Sequence, residues 1–240
     1  AGVASIAIDY QALQVQNFTT ATNAFNVAVG HAAGRAVTTG KENILIGGVA
    51  GDALTDADYN IAIGHTALGL DTLGSRSVAI GHSALDAQNF TTATNTYNVA
   101  VGHAAGSAIT TGVQNTLIGG LAGDVLSDAD FNVAIGYAAL STDTLGSSSV
   151  AIGREALFTQ NFTTATSSYN VAVGFQAGKS VTTGTNNTLI GALAGDAITT
   201  GHNNVAVGYA ALDANTTASN NIAVGKDALT ANTTGSENVA

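Results

Sequence analysis

Apolar and polar residues recur along this chain in one short phrase, which is written thirteen times. The first position is Asn or Ser, the second is mostly apolar, the third is Ala or Leu, and the fourth is Ile or Val. The fifth position is Gly in every copy except the first, which has Asp9, and the eighth is always Ala. The phrase starts at Ser5, Asn26, Asn43, Asn60, Ser77, Asn98, Asn115, Asn132, Ser149, Asn170, Asn187, Asn204 and Asn221. The starts are 21, 17, 17 and 17 residues apart, so a 72-residue super-repeat overlies the short one. Such a fixed period is typical of a solenoid, whose coils bury their apolar sides against neighbouring coils.

The first five residues of each repeat alternate, and alternation of β-branched residues predicts a strand. In the repeat from Asn204, Val205 and Val207 share one face while Ala206 and Gly208 share the other. We expect the two larger residues to fill the inside of the coil. Strands that are apolar on both faces belong to sheets covered on both sides, so the Ala/Gly face is predicted to meet another subunit. Ala79 and Ala151 stand at the same position as Ala206.

The second half of the repeat predicts a tightly packed interior. Its ninth position is Leu or Gly. Where it is Leu, as at Leu68, the twelfth position is polar (Asp71), and where it is Gly, as at Gly34, the twelfth is apolar (Val37). One apolar side chain per coil is therefore expected to fill the far end from either position, which keeps the packed volume constant. Gly at the fifth position indicates a close backbone approach, and stacked first-position Asn residues are expected to form ladders.

Composition favours a folded chain on the outside of a cell or virion. Of the 240 residues 45% are hydrophobic, only 9% are charged, and none is Cys, which excludes disulfides and cysteine zinc sites. The net charge of −10 with six Lys and Arg argues against a nucleic-acid partner. No apolar run reaches the length of a membrane span. We expect one all-β solenoid domain over residues 1–240, as a segment of a longer fibre.

Two of the repeats, 77–84 (Ser-Val-Ala-Ile-Gly-His-Ser-Ala) and 98–105 (Asn-Val-Ala-Val-Gly-His-Ala-Ala), resemble the head repeats of YadA-like trimeric autotransporter adhesins. The stretch from Asn203, Asn-Asn-Val-Ala-Val-Gly-Tyr-Ala-Ala-Leu, is also similar to repeats of phage tail fibres. The resemblance covers the whole chain. It implies a left-handed parallel β-roll and a side-by-side homotrimer on an extracellular attachment fibre. The repeats here are longer than is usual in the family, and no neck, heptad stalk or membrane anchor is present in this sequence.

Three coils carry a four-residue extension, and these extensions are the candidate ligand contacts. They are centred on Asn-Phe-Thr-Thr at 17–20, 89–92 and 161–164. Phe18, Phe90 and Phe162 either fold back to cover a coil edge or form a row of exposed aromatic contacts. Asn17, Asn89 and Asn161 head Asn-x-Thr sequons and are candidate glycosylation sites if the producing cell glycosylates.

The remaining polar residues give weaker candidates. Asp52, Asp56 and Asp58 recur as Asp124, Asp128 and Asp130, but the spacing and final Glu of an EF-hand are missing, so we interpret them as solvated carboxylates. The sixth position holds His31, His65, His82 and His103 and elsewhere tolerates Tyr, Arg, Lys or Gly, which indicates an exposed position rather than a metal site. No nucleophile motif or phosphate loop is found, and we expect neither enzyme activity nor a cofactor.

The sequence thus favours a structural and adhesive segment of an extracellular homotrimeric fibre, with two further copies of itself and a host surface protein or glycan as partners. A bacterial surface adhesin and a phage tail fibre are the two forms of this hypothesis. An ice-binding solenoid is an alternative, although the Thr pairs that start at Thr38, Thr110 and Thr182 are interrupted by acidic coils such as 56–58. A glycan-cleaving spike comes last, because nothing singles out two of the acidic residues.

Overall fold

The regular structure of the chain is entirely β-strand in the computed structural model, which describes residues 2–240. Over those residues no helix is long and apolar enough to cross a membrane. The chain divides into two compact units, the first ending at Asn115 and the second beginning at Thr116. Each unit is a parallel β-solenoid, and each predicted repeat supplies one coil. The prediction of an all-β solenoid with about thirteen coils is confirmed.

Every coil contributes one three-residue main strand, which begins at the second position of its repeat. In the first unit these are β2 (Ile6–Ile8), β4 (Val27–Val29), β5 (Ile44–Ile46), β6 (Ile61–Ile63), β8 (Val78–Ile80) and β10 (Val99–Val101). In the second they are β11 (Thr116–Ile118), β12 (Val133–Ile135), β14 (Val150–Ile152), β16 (Val171–Val173), β17 (Thr188–Ile190), β18 (Val205–Val207) and β19 (Ile222–Val224). Within each unit successive main strands pair in parallel, with identical repeat positions side by side.

Each 21-residue coil adds a short second pairing where its extension rejoins the repeat. The pairs are β1 (Gly2–Val3) with β3 (Thr22–Asn23), β7 (Gly74–Ser75) with β9 (Thr94–Asn95), and β13 (Gly146–Ser147) with β15 (Thr166–Ser167). Two residues close to the end of the preceding coil thus pair with residues that follow the extension. The four extra residues therefore leave the register of the following main strand unchanged.

The first-position Asn residues form the expected ladder. Asn26 donates from Nδ2 to the carbonyl of Gly40 in its own coil (2.7 Å), while its Oδ1 accepts the backbone N–H of Asn43 in the next coil (2.9 Å). Asn43 repeats both contacts, to Ala57 and Asn60. All of these side chains are fully buried, so the ladder satisfies backbone groups that water cannot reach.

The fifth-position Gly marks a close approach between coils, as predicted. Gly30 has φ +130°, and a Cβ built on it would lie 2.7 Å from the carbonyl carbon of Gly47 in the next coil. No side chain fits between two backbones at that distance. Gly is therefore required both by conformation and by space.

The strand faces are reversed from the prediction. Ala206 is fully buried in a single chain, as are Ala79 and Ala151, whereas Val205 and Val207 lie half-buried at the outer surface. The interpretation that the valines fill the coil and that the Ala/Gly face meets another subunit was wrong. The third position of the repeat, Ala or Leu, points into the coil, and the second and fourth positions point outward.

The side chain that fills the interior comes from a different repeat position in different coils. At Gly34 a Cβ would lie 2.5 Å from Leu45 Cδ1 and 3.3 Å from Val37 Cγ2, so these two side chains occupy the space that Leu68 fills in its own coil. Leu68 has φ +53° and Gly34 has φ +58°, which places the ninth position in a left-handed turn whichever residue stands there. The predicted exchange between the ninth and twelfth positions is confirmed, and the third position takes part in it as well.

Candidate interaction surfaces

The largest candidate surface is the outer face of the main strands, formed by the second and fourth positions of each repeat. We call it the outer strand face. In the first unit it consists of Ile6, Val27, Ile44, Ile61, Val78 and Val99 in one column and Ile8, Val29, Ile46, Ile63, Ile80 and Val101 in the other. In the second unit it runs from Thr116 and Ile118 to Ile222 and Val224, with Thr at the second position only in Thr116 and Thr188. All of these residues are half-buried or exposed.

The outer strand face is apolar along its length. Six coils about 4.8 Å apart, with two columns about 7 Å apart, present on the order of 300 Å² of β-branched surface in the first unit alone. Contiguous apolar patches of a few hundred Å² or more on a single chain mark interaction sites. The outer strand face is made of the second and fourth positions, whereas the sequence predicted a subunit contact at the Ala/Gly face of the strands.

The extension rings are not on the surface. Phe18, Phe90 and Phe162 are only 6–7% exposed. A Cβ on Gly146 would lie 2.8 Å from Phe162 Cδ2, so the ring packs against the backbone of the preceding coil. The structure thus supports the alternative that each ring covers a coil edge. It does not place the three rings as a row of surface contacts.

A buried polar network fixes the second and third extensions below their rings. Asp71 is fully buried, and its Oδ1 accepts the N–H groups of Gly74 (3.1 Å) and Phe90 (3.0 Å). Its Oδ2 accepts from Gln88 Nε2 (2.6 Å), which also donates to Ser77 Oγ (2.9 Å). The network explains why Ser begins these coils, since the side chain of Gln88, the twelfth residue of the same coil, occupies the space that Asn fills elsewhere.

The same network recurs one super-repeat later, with the same geometry. Asp143 accepts from Gly146, Phe162 and Gln160, and Gln160 donates to Ser149. Its Oε1 in turn accepts from Asn170 Nδ2 (2.8 Å), which joins the network to the Asn ladder. These polar residues are structural, and the polar twelfth position was the sequence signal for them.

The sequon residues of the extensions are exposed. Asn17, Asn89 and Asn161 all lie at the surface, and Asn89 Oδ1 accepts a 3.2 Å hydrogen bond from Thr72 Oγ1. The sequon at Asn215 is different, because that side chain is fully buried and bound to Ala218. The three extension sequons are therefore accessible candidates for glycosylation.

The acidic residues of the first unit bind neighbouring coils. Asp52 pairs with Arg35 (3.0 Å), Asp56 accepts from Thr39 Oγ1 (2.6 Å), and Asp58 accepts the backbone N–H of Lys41 (2.7 Å). Burial raises the pKa of Asp52 above its usual value, and Arg35 opposes that rise. Burial also raises the pKa of Asp124 in the second cluster, where a hydrogen bond from Ser141 opposes it. Within residues 2–240 no group of three or more His, Cys, Asp or Glu side chains is arranged to hold a metal ion.

The sixth-position histidines are exposed, as predicted, and they stack. The rings of His65, His82 and His103 lie 5.4 Å and 5.3 Å apart on successive coils, and His31 stacks on Tyr10 at 5.7 Å. The burial of Asp86 raises its pKa, while His82 and His65 nearby lower it. This column borders the outer strand face on the side where each main strand ends.

The threonine column gives no support to an ice-binding surface. The hydroxyls of Thr38, Thr55 and Thr72 each donate to a backbone carbonyl of the next coil, at 3.2, 3.1 and 2.7 Å. Hydroxyl groups that donate in this way belong to the internal hydrogen bonding of the solenoid. They are not a flat array presented to water.

Sequence reasoning missed a second aromatic column, which borders the outer strand face where each main strand begins. It consists of the residues just before the first repeat position, and Phe25, Tyr59, Tyr97, Phe131 and Tyr169 are all 44–59% exposed. The signal was available, because these aromatics recur in every second coil, at alternating intervals of 34 and 38 residues. Comparison with family models, curated proteins and solved structures finds no match to this chain.

Proposed function

We propose that this chain is a structural and adhesive segment of an extracellular homotrimeric fibre, and that the outer strand face is where the copies meet. One observation carries the proposal: every coil presents two β-branched or apolar side chains outward at the same two repeat positions. Removal of that area from water would stabilise an assembly by roughly 25 cal/mol per Å².

A second copy of the same chain is the partner that fits this face. A partner must offer apolar groups at the coil spacing of about 4.8 Å, and an identical solenoid in register does so at each coil. Three copies can close around an axis, which leaves no apolar face open to further addition. The number three comes from the resemblance to YadA-like head repeats, and the same resemblance supports an extracellular attachment role.

The fibre assignment also agrees with the surface outside this face. Polar extensions with exposed Asn and Thr residues project from three coils, and a net charge of −10 keeps such an assembly in solution. An extended repeat surface suits weak contacts that add through multivalency, since one fibre holds three copies of each contact. A bacterial surface adhesin is the form that we favour, and a tail fibre would assemble through the same face.

Sedimentation equilibrium of the purified segment tests the proposal. Wild type should have three times the 23.6 kDa mass of the chain. Ile63→Lys, which places a charge on the outer strand face, should sediment as one folded chain, and Thr19→Lys on an exposed extension should stay trimeric. A wild-type segment that is folded and monomeric at micromolar concentration would remove the basis for the proposal. Attachment of fluorescent beads coated with each form to host cells then tests the adhesive role.

A further inference from the structure

One arginine stands in the aromatic column that precedes the main strands. In the first unit the column runs Phe25, Glu42, Tyr59, Arg76, Tyr97 and Gln114, one residue per coil. The Arg76 guanidinium carbon lies 4.7 Å from the ring centroid of Tyr59 and 6.0 Å from that of Tyr97. The planar group is therefore held between two rings on successive coils.

Arg76 is fixed but not neutralised. Its Nε donates to Asn95 Oδ1 (2.9 Å), and the side chain makes no ion pair within residues 2–240. The two other arginines do make one, Arg35 with Asp52 (3.0 Å) and Arg154 with Glu155 (2.9 Å). The neighbouring Asp58 is bound to the backbone of Lys41 instead. The two Nη groups of Arg76 thus remain available at an exposed position.

We propose that Arg76, Tyr59 and Tyr97 form a binding site for a carboxylate-bearing sugar of a surface glycan. A guanidinium whose Nε is already occupied presents its Nη donors as a preorganised edge, which binds a carboxylate through charge-assisted hydrogen bonds. The exposed edges and hydroxyls of the two tyrosines lie on either side of that charge and can contact a sugar ring.

Isolated rather than dense negative charge fits this site. Arg76 is the one cation in this column of the first unit, on a chain of net charge −10, so a long polyanion that extends over the rest of the surface would be repelled by it. A glycan carries its carboxylates several Å apart, on hexuronates or on sialic acids, and either can supply the group. The inference rests on the adhesive part of the proposed function and does not require the trimer, because all four residues belong to one chain.

The test uses ligand-observed NMR of the full segment with sialyllactose and with trigalacturonate, and with lactose as the neutral sugar. At least one acidic sugar should bind, with an affinity on the order of 1 mM for a single site, and lactose should not. The sugar that binds identifies the source of the carboxylate. Arg76→Ala should abolish binding, and Arg76→Lys should weaken it about tenfold, because lysine keeps the charge but loses the planar edge. Arg154→Ala is the matched control and should bind as wild type does.

The chain offers an internal gain-of-function test at the equivalent positions one super-repeat later. There Phe131, Ser148 and Tyr169 replace Tyr59, Arg76 and Tyr97, and Ser167 replaces Asn95. Introducing Ser148→Arg and Ser167→Asn into the Arg76→Ala chain should restore binding of the acidic sugar. The inference would be overturned if the Arg76→Ala chain bound the acidic sugar as tightly as wild type does. It would also be overturned if wild type bound lactose, or an acetylated aspartyl tripeptide, as tightly as it binds the acidic sugar. A trimer by sedimentation that binds neither acidic sugar refutes this inference and leaves the proposed assembly standing.

Discussion

Gln88 Nε2 donates a hydrogen bond to Oδ2 of Asp71, 2.6 Å away, between two successive coils. Both side chains are fully buried at the twelfth positions of their coils, and Asp71 also accepts the N–H of Phe90 in the extension. The ninth position of the Asp71 coil is Leu68, so the interior already has its apolar side chain, and the twelfth position is free to be polar. The extension is therefore an ordered part of the solenoid.

Gln88→Ala should lower the free energy of unfolding by about 1–3 kcal/mol, because Asp71 then keeps a buried oxygen without its donor. Gln16→Ala is the matched control and should cost less. Gln16 is only half-buried and donates to Ser5 Oγ alone, at 3.3 Å, with no buried carboxylate beside it. Denaturant unfolding followed by circular dichroism measures both variants. Equal losses would show that the carboxylate bond contributes nothing specific.

Phe162→Ala should destabilise the chain by about 3–5 kcal/mol, the usual cost of emptying the space of a buried aromatic ring. Its neighbour Thr163→Ala is the control, because that side chain is exposed and should change stability little. Thermal unfolding gives the comparison. If Phe162→Ala melts with wild type, the ring is dispensable to the coil, and the surface-contact alternative for Phe18, Phe90 and Phe162 returns.

Two glycines at the same repeat position should respond differently to Ala. Gly30→Ala brings a Cβ to 2.7 Å from the backbone of Gly47, whereas a Cβ on Gly225 meets nothing within 4 Å. Both have φ near +130° to +137°, so both variants carry backbone strain of about 1–3 kcal/mol. Gly30→Ala should be destabilised well beyond Gly225→Ala in equilibrium unfolding. Similar losses would mean that strain alone, and not the close approach, requires Gly.

Glu155 should give the second unit a defined acid sensitivity. Hydrogen bonds from Gln176 and Lys179, in that order, lower its pKa from 4.5 to about 2. The folded state therefore favours the carboxylate, and this contribution is complete above pH 4.5 and is lost as the pH falls from 4.5 towards 2. Glu155→Gln should be less stable than wild type at pH 7 and equal to it near pH 2.

The control for this pH profile is Glu237→Gln, since Glu237 is exposed and makes no ion pair within residues 2–240. Thermal melts across the pH range compare the two variants. Added salt should narrow the difference between Glu155→Gln and wild type, because the paired cations Arg154 and Lys179 reach the solvent and are screened. A difference that persists unchanged down to pH 2 would contradict the assigned cause.

The period of the sequence was enough to predict the coil, its register and its parallel pairing, because thirteen copies at 17- and 21-residue intervals leave few other folds. It was not enough to orient the strand. Val205 and Ala206 are both apolar, and alternation alone does not say which of the two faces inward. The third position is Ala in most coils but is Leu45 in the coil whose ninth position is Gly51. This change identifies the third position as interior, because only a residue in the packed interior must make up for the volume of a missing side chain.

The surface sites were less predictable for a different reason. A Phe in a polar extension looks exposed in sequence, yet Phe90 is buried, and its backbone N–H donates to Asp71 of the preceding coil. The contact of Arg76 with Tyr59 and Tyr97 is likewise made between coils, 17 and 21 residues apart. Such contacts become visible in the sequence only when the repeats are aligned and their columns are compared.

Thiol labelling tests most directly whether the β-branched face is outside each coil and covered by other copies. The chain has no Cys, so Val78→Cys and Ala79→Cys each introduce a single thiol. In wild type the thiol at 78 should be protected at micromolar concentration. In the Ile63→Lys background it should react at least about tenfold faster, while the thiol at 79 should stay protected in both. Fast labelling of the thiol at 78 without the Ile63→Lys change would contradict the assembly. In the Ile63→Lys background, fast labelling at 79 together with slow labelling at 78 would contradict the orientation of the strand.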